Sequence, residues 1–228
     1  MSIVFGSQAF CSASTVHVFG DSNALFNFTN VIVPIPTELV YTYEQVHTYA
    51  DFQVVVPIVI HGFVSKTMHG VAKEGFLELK KFGVKENDIG VFAFGCVDVY
   101  YNIAKQRDGR GRNLDEIIDS LASNYINFIV RNRIQYQRLM CVVTSILPPY
   151  INIEGNIQDK IDITCRLNAK MKEYCMKNDI LFLNIYDTYA TKEGFLDPSL
   201  GDGNHHVKME CNYHIRKKLV ELLIDHLP

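Results

Sequence analysis

The sequence predicts an α/β fold in which a parallel sheet of about five strands is covered by helices on both faces. Five short runs of β-branched and aromatic residues are nearly continuous, as in strands that are buried on both faces. Segments with helical spacing separate these runs, and such alternation is typical of parallel sheets with right-handed crossovers. The predicted strands are 16–20, 54–60, 90–94, 139–145 and 180–184.

The helical segments are recognised by apolar residues that recur every three or four positions. The longest of them begins at Leu114 and continues to Ile129, so that its apolar residues form one face of a helix. A shorter face runs from Met68 to Leu79. Two more segments, over 167–175 and 215–223, complete the helical set.

Composition predicts a single globular domain. The chain has 228 residues, of which 48% are hydrophobic, and a net charge of −3. A chain of this length can bury a sizeable core, so we expect one domain over 1–228 with an N-terminal extension at 1–14. The basic residues are dispersed, which does not favour a nucleic-acid partner. The longest apolar run, 52–65, is shorter than the roughly 20 residues of a membrane-spanning helix.

Cysteine usage favours a reducing compartment. The six cysteines form no C-x-x-C pair, so we interpret them as buried thiols and expect no disulfide framework. No Lys or Arg precedes the short apolar part of the first 13 residues, which does not favour a secretory signal. We therefore expect a soluble, cytoplasmic protein.

Residues that could carry chemistry follow the first, third and fifth predicted strands. Open parallel sheets place their working residues beyond the carboxyl ends of the strands. A Gly-Asp-Ser stretch ending at Ser22 follows the first strand, and a second polar segment with Asp202 and His205 precedes the last helix. A serine hydroxyl becomes nucleophilic when an imidazole takes its proton and a carboxylate orients that imidazole. The alternative is that Gly-Asp-Ser is only the cap of the next helix.

With G-D-S at 20–22 and D-x-x-H at 202–205, the sequence resembles the SGNH, or GDSL-type, hydrolase superfamily over about 16–215. The resemblance implies a three-layer, flavodoxin-like α/β/α sandwich and the cleavage of esters, thioesters or glycan O-acyl groups without a cofactor. It makes Ser22 the nucleophile and first oxyanion donor, His205 the general base and Asp202 the partner that orients it. His206 is then expected to be a neighbour of the base.

The third motif of that superfamily, Gly-x-Asn-Asp, is altered in this chain. The corresponding stretch is Gly95-Cys96-Val97-Asp98, and valine cannot donate a hydrogen bond as the asparagine does. Loss of one oxyanion donor typically lowers a rate about a hundred- to a thousandfold. The stretch also partly resembles a glycan-associated branch with G-D-S-H, T-M-H and G-E-I-D motifs, which favours an O-acylated glycan as substrate.

Four residues are candidates for the oxyanion hole and pocket. Ser65, with Lys66 next to it, is favoured for a second backbone donor, while Gly95 and Asp98 would line the pocket. Simpler interpretations stay open. Thr67 resembles the N-cap of a helix that begins at Met68, and Asp98 could be a solvated acid that caps the turn after the third strand.

Two adjacent tyrosines follow Asp98. Tyr100 and Tyr101 could contact a sugar or acyl group, although packing is the simpler interpretation.

Three functions remain open from the sequence. The favoured one is hydrolysis of a small-molecule or glycan ester through an acyl-enzyme; the same serine site could instead transfer the acyl group to a sugar hydroxyl or amine. The third is an SGNH-like binding protein with weak catalysis, because of Val97. A metal site is not favoured, since the Asp, His and Cys residues over 202–214 match no common zinc spacing.

Overall fold

The structure is a computed structural model that describes residues 15–29, 40–49, 54–74, 77–136 and 138–226. The predicted extension at 1–14, Cys11 and Phe76 lie outside these residues. The sheet has six strands, which are β1 (Val16–Gly20), β2 (Val40–Tyr49), β3 (Val54–Phe63), β4 (Ile89–Ala93), β5 (Met140–Thr144) and β6 (Leu181–Leu183).

The strand order is β2-β3-β1-β4-β5-β6. The last five strands of that order are parallel, while β2 pairs antiparallel with β3 at the edge. Among the parallel strands, the second in sequence lies beside the first, and the third lies on the other side of the first, as in flavodoxin-like folds. The predicted fold class and the five predicted strands are therefore confirmed, and β2 is an additional strand.

Seven α-helices surround the sheet in the described part of the chain. Asparagine side chains cap the two longest: Asn113 accepts from the amides of Asp115 and Glu116, and Asn156 accepts from those of Gln158 and Asp159. The helices are α1 (Ser22–Phe28), α2 (Met68–Glu74), α3 (Ile103–Arg110), α4 (Leu114–Arg133), α5 (Ile157–Lys177), α6 (Tyr186–Tyr189) and α7 (Tyr213–Ile224).

Each face of the sheet has its own core. Alternate residues of β1 point to opposite faces, so Phe19 packs in one core and Val18 in the other. Phe19 shares its core with residues of α2, α4 and α5. Val18 shares the other core with residues of α1 and α7. Every residue of β1 and β4 is buried, which explains why their sequences are nearly continuously apolar, with His17 as the polar exception in β1.

Two local predictions need correction. The apolar face predicted from Met68 to Leu79 is divided, because α2 ends at Glu74 and Leu79 begins a separate 3₁₀ turn. The cysteines are not all buried either, since Cys165 is exposed on α5 and Cys211 is half-buried. All five described cysteines are free thiols. In the described segments, each helix is too short or too polar to cross a lipid bilayer.

Candidate active site

Ser22 is the first residue of α1, at the carboxyl end of the central strand β1. Gly20 makes this position possible, because a Cβ atom there would lie 2.5 Å from the carbonyl oxygen of Ala93 on β4. Asp21 is the helix cap: its Oδ1 accepts from the Asn23 amide at 3.0 Å. Since Asp21 caps the helix, the Ser22 hydroxyl can interact elsewhere.

The partner of the Ser22 hydroxyl is His206. The distance from His206 Nε2 to Ser22 Oγ is 3.0 Å, and the distance from His206 Nδ1 to Asp202 Oδ2 is 3.1 Å. A carboxylate can only accept, so a neutral His206 carries its proton on Nδ1 and accepts from Ser22 through Nε2. Phe26 of α1 stacks on the His206 ring, with 3.9 Å between ring centroids and 7° between planes. The three groups thus form a Ser-His-Asp arrangement.

The prediction that His205 lies beside Ser22 is wrong, and the backbone explains why. The Asp202 amide donates to the His206 carbonyl at 3.0 Å, and Gly201 pairs antiparallel with Val207. Asp202 and His206 are therefore opposite each other across a three-residue turn, and opposed side chains share one face. His205 belongs to the turn, so spacing along the chain did not reveal the correct histidine.

His205 lies next to the site with partners of its own. Its Nδ1 is 2.8 Å from Asn204 Oδ1, and its ring packs against the edge of Tyr100 with 5.6 Å between centroids. The centroids of His205 and His206 are 4.0 Å apart. His205 therefore separates the Ser-His-Asp arrangement from the segment after β4.

Burial keeps both imidazoles neutral. Burial and, second, the neighbouring His205 lower the pKa of His206 from 6.5 to about 4, although the Asp202 carboxylate acts in the opposite direction. Burial also lowers the pKa of His205, again against Asp202. At neutral pH His206 is therefore ready to accept a proton.

The segment after β3 supports only part of the prediction for the second backbone donor. Ser65 is exposed and has a left-handed φ of 62° in the turn that follows the strand. The Lys66 amide donates to the Phe63 carbonyl at 3.1 Å, so it is already engaged within the turn. Thr67 Oγ1 accepts from the Gly70 amide at 2.8 Å, which confirms Thr67 as a cap of α2. Ser65 remains a candidate donor and the Lys66 amide does not.

The segment after β4 contains Gly95 and Asp98, the two residues that were predicted to line the pocket. Gly95 has a φ of 126°, and a Cβ atom there would lie 2.6 Å from Ile146 Cδ1, so glycine is required. Asp98 is only 1% exposed and its Oδ2 accepts from the Met68 amide at 2.7 Å. The alternative that Asp98 is a solvated acid that caps the turn is therefore wrong, while its position in the pocket stays a prediction. Burial raises the pKa of Asp98 to about 7.

Val97 precedes Asp98 and is half-buried in helical conformation, with no side-chain donor to offer.

A buried lysine supports the same segment. Asp98–Asn102 form a π turn, in which the Ile103 amide reaches back five residues to the Asp98 carbonyl. The hydrogen bonds of the π turn span five residues, and those of α3 span four. Where the two patterns meet, one backbone carbonyl receives no hydrogen bond from a helix amide. Lys160 of α5 is 5% exposed, and its Nζ donates to the carbonyls of Val99 at 3.1 Å and Tyr100 at 2.7 Å. Lys160 therefore stabilises the turn that places Tyr100 against His205.

Replacing Lys160 by methionine is expected to destabilise the protein. The variant Lys160→Met keeps the length of the side chain but removes the donor to the Val99 and Tyr100 carbonyls, one of which has no helix amide in its place, and this costs about 1–3 kcal/mol. Urea unfolding measures this loss. Lys172→Met is the matched control, because Lys172 is exposed on the same helix and its replacement should change stability by less than about 0.5 kcal/mol. Equal stabilities of the two variants would contradict the role of Lys160.

The stretch from Asp202 to His214 contains several side chains of types that can bind metal ions. In the described ranges, His, Cys, Asp and Glu side chains form no group of three or more that could hold a metal ion. Asp202 is instead hydrogen-bonded to His206, and His206 is hydrogen-bonded to Ser22.

Three solved structures with a similar fold carry the names of lipases or esterases. A GDSL-like lipase from Bacteroides thetaiotaomicron is 17% identical, with a TM-score of 0.61 over 93% of this chain and 88% of that chain. A lipase from a goat rumen metagenome is 12% identical, with a TM-score of 0.62 over 92% and 97%. A catalytic mutant of an acetylxylan esterase from Geobacillus stearothermophilus is 9% identical, with a TM-score of 0.59 over 93% and 94%.

No protein-family model and no curated protein matches the sequence. At these low identities the structural likeness defines the fold, and the chain has the fold of the GDSL, or SGNH, hydrolases.

Proposed function

We propose that the protein is a serine esterase that hydrolyses an ester through an acyl-enzyme. The observation that carries the proposal is the position of His206, which is within hydrogen-bond distance of both Ser22 Oγ and Asp202 Oδ2. A nucleophile, a base and a group that orients the base are the parts that acyl transfer requires.

The first half of the reaction acylates the serine. Ser22 Oγ attacks the carbonyl carbon of the ester while its proton passes to His206 Nε2. Asp202 stabilises the imidazolium that forms. When the tetrahedral intermediate collapses, the bond to the alcohol oxygen breaks and His206 protonates the leaving alcohol. In the second half, His206 deprotonates a water that attacks the acyl-enzyme, and the carboxylic acid leaves as Ser22 regains its proton.

The oxyanion is held by backbone donors in this proposal. The Ser22 amide is in the first turn of α1, where helix amides point outward with a partial positive charge. The Ser65 amide, in the turn after the neighbouring strand β3, is the proposed second donor. Val97 offers none, so the enzyme is expected to be about a hundred- to a thousandfold slower than one that retains a third donor.

An O-acyl group on a glycan is the favoured substrate, with other small esters next. Support comes from the acetylxylan esterases among the structures of the same fold. Tyr101 supports it too, since it is 65% exposed one residue after the tyrosine that contacts His205. Exposed aromatic rings present both an apolar face and a polar edge, which suits sugars.

The proposal is tested by incubating the protein with p-nitrophenyl acetate and with an acetylated xylo-oligosaccharide. Release of acetate from either substrate by the wild type, and not by Ser22→Ala, is the expected result. Analysis of the products with added sugar acceptors separates hydrolysis from acyl transfer. No turnover of either ester between about pH 6 and 9, where the base is neutral, would favour a binding protein instead.

The pH profile should reflect the lowered pKa of His206. The base acts only when it is neutral, and its pKa is about 4 instead of 6.5 because the ring is buried. We therefore expect kcat/KM for the aryl ester to stay level well below pH 6.5 and to fall near pH 4. A profile that falls with an apparent pKa near 6.5 would show that His206 is not the buried base described above.

A further inference from the structure

A small polar cavity lies behind the nucleophile, between α1 and the carboxyl ends of β4 and β5. Its volume is about 20 Å³. A single water molecule requires about 10–15 Å³ of such space together with two to four polar partners. Its lining includes Asp21, Asn23, Asn27 and Ser145.

The backbone amides of Gly95 and Cys96 interact with the Asp21 carboxylate, yet three oxygen atoms on the cavity wall accept no hydrogen bond of standard geometry from the described residues. They are Asp21 Oδ2, Asn23 Oδ1 and Asn27 Oδ1, and all three are fully buried. Asn23 and Asn27 are four residues apart on α1, so their amides share one face of the helix. Buried polar atoms are almost always hydrogen-bonded, and each one left unpaired costs about 1–3 kcal/mol. A water molecule carries two protons, so one water in the cavity can donate to two of these three acceptors.

Ser145 supplies the complementary group. Its Oγ accepts from the amides of Ile185 at 2.9 Å and Tyr186 at 3.0 Å. Because both lone pairs are occupied, the Ser145 hydroxyl has its proton to donate, and the residue lines the same cavity. The wall therefore offers several acceptors and at least one donor hydroxyl, which is the set that a water molecule satisfies.

We propose that the cavity binds one water molecule, which donates to Asp21 Oδ2 and to the amide oxygen of Asn23 or Asn27 and accepts from Ser145. The other carboxylate oxygen of Asp21 already accepts from the Asn23 amide and side chain, at 3.0 and 3.2 Å. The water completes the hydrogen bonds of the carboxylate that caps α1. Through that cap it fixes the backbone that carries Ser22. The inference is independent of the proposed esterase activity.

A high-resolution crystal structure tests the site directly. The expected result is an isolated density peak about 2.7–3.2 Å from Asp21 Oδ2 and from an amide oxygen of Asn23 or Asn27. Two results would overturn the proposal: side chains that pair directly with no peak between them, or a peak that gives an anomalous signal after a rubidium soak. The second result would identify a monovalent cation.

A variant tests the effect of the water on Asp21. Asn27→Leu removes one acceptor and fills part of the cavity, so the peak should disappear. Burial already raises the pKa of Asp21 from 3.8 to about 6. A water that donates to the carboxylate favours the ionised form, so its loss should raise this pKa further.

The direction of the effect on stability follows from proton linkage. A raised carboxyl pKa means that the folded chain binds more protons than the unfolded chain, so stability falls as pH rises through the range between the two values. In Asn27→Leu the pKa of Asp21 in the folded chain should be higher, so stability continues to fall up to a higher pH. The Tm difference between the variant and the wild type should therefore grow by about 2–4 °C from about pH 5 to about pH 8.

Other titratable groups lie near Asp21, and the experiment needs controls for their titration. They are Cys96 and Asp98 after β4, Tyr100 in the π turn and Tyr125 of α4. They are present in both proteins, so they cancel in a difference between variants unless they couple to Asn27. Asp21→Asn removes the group of interest, and in that background Asn27→Leu should change Tm equally at both pH values.

Asn127→Leu is the surface control, because Asn127 is exposed on α4. A Tm difference for Asn27→Leu that is the same at both pH values with Asp21 present would contradict the link between the water and Asp21.

Discussion

Replacing His206 by alanine is expected to lower kcat/KM for an aryl ester by at least about 10⁴-fold, which is the typical loss when a triad member is removed. The reason is geometric, because His206 Nε2 is the base within 3.0 Å of Ser22 Oγ. Without it, the hydroxyl keeps its proton at neutral pH and is a poor nucleophile. Steady-state hydrolysis of p-nitrophenyl acetate measures the change.

His205→Ala is the matched control for this prediction. The two histidines are adjacent in sequence, and both are partly or fully buried, so the substitutions remove the same group from the same turn. His205 bonds Asn204 and packs on Tyr100, so its loss should reduce kcat/KM by no more than about tenfold, as a loss of positioning. If His205→Ala abolished activity and His206→Ala did not, the assignment of the base would be reversed.

Replacing Asp202 by asparagine is expected to lower kcat by about 10³–10⁴-fold. The carboxylate accepts from His206 Nδ1 at 3.1 Å, which leaves Nε2 unprotonated toward Ser22. An asparagine amide can donate to Nδ1 and so favour the tautomer with a proton on Nε2, which cannot accept from the serine. The change in kcat, with circular dichroism to verify folding, measures the effect.

Asp197→Asn provides the control for the same chemical change. Asp197 lies in the loop before Asp202, and its carboxylate accepts from the amide and hydroxyl of Ser199. Its replacement should leave kcat within about threefold of the wild type, since surface changes away from the site have small effects. Comparable losses in the two variants would mean that Asp202 acts through the stability of the loop.

Much of the fold could be predicted from the sequence because burial leaves a clear pattern. β1 and β4 are buried at every residue, so their continuous apolar runs identified them as central strands of a parallel sheet. The edge strand β2 was not predicted. Its sequence mixes polar and aromatic residues, and a strand that pairs along one side only does not need a continuous apolar run.

The residue types of the site could be predicted from the sequence, but not which of the two adjacent histidines contacts Ser22. Gly20 and Asp21 are local signals, since the strand must approach β4 closely and the helix needs a cap, and they marked the strand-to-helix turn that carries Ser22. The choice between His205 and His206 depends on which residues pair across the turn after Asp202. That pairing is set by backbone hydrogen bonds between Asp202 and His206, and residue types alone do not encode it.

Asp98 and Lys160 show a second limit of sequence reasoning. An acid next to a predicted active site suggests contact with substrate, yet the Asp98 carboxylate holds the first amide of α2. Lys160 gave no signal, because its role is to bond carbonyls that are about 60 residues away along the chain. Long-range contacts of this kind arise only when the helices pack together.

The most direct test of the Ser22, His206 and Asp202 assignment is labelling with an organophosphonate, followed by peptide mapping. Phosphonates react with serines that are activated by a neighbouring base, and the adduct records which residue attacked. The predicted result is a single adduct on Ser22 in the wild type and in His205→Ala, and none in Ser22→Ala or His206→Ala. An adduct on another residue, or undiminished labelling of Ser22 in His206→Ala, would contradict the assignment.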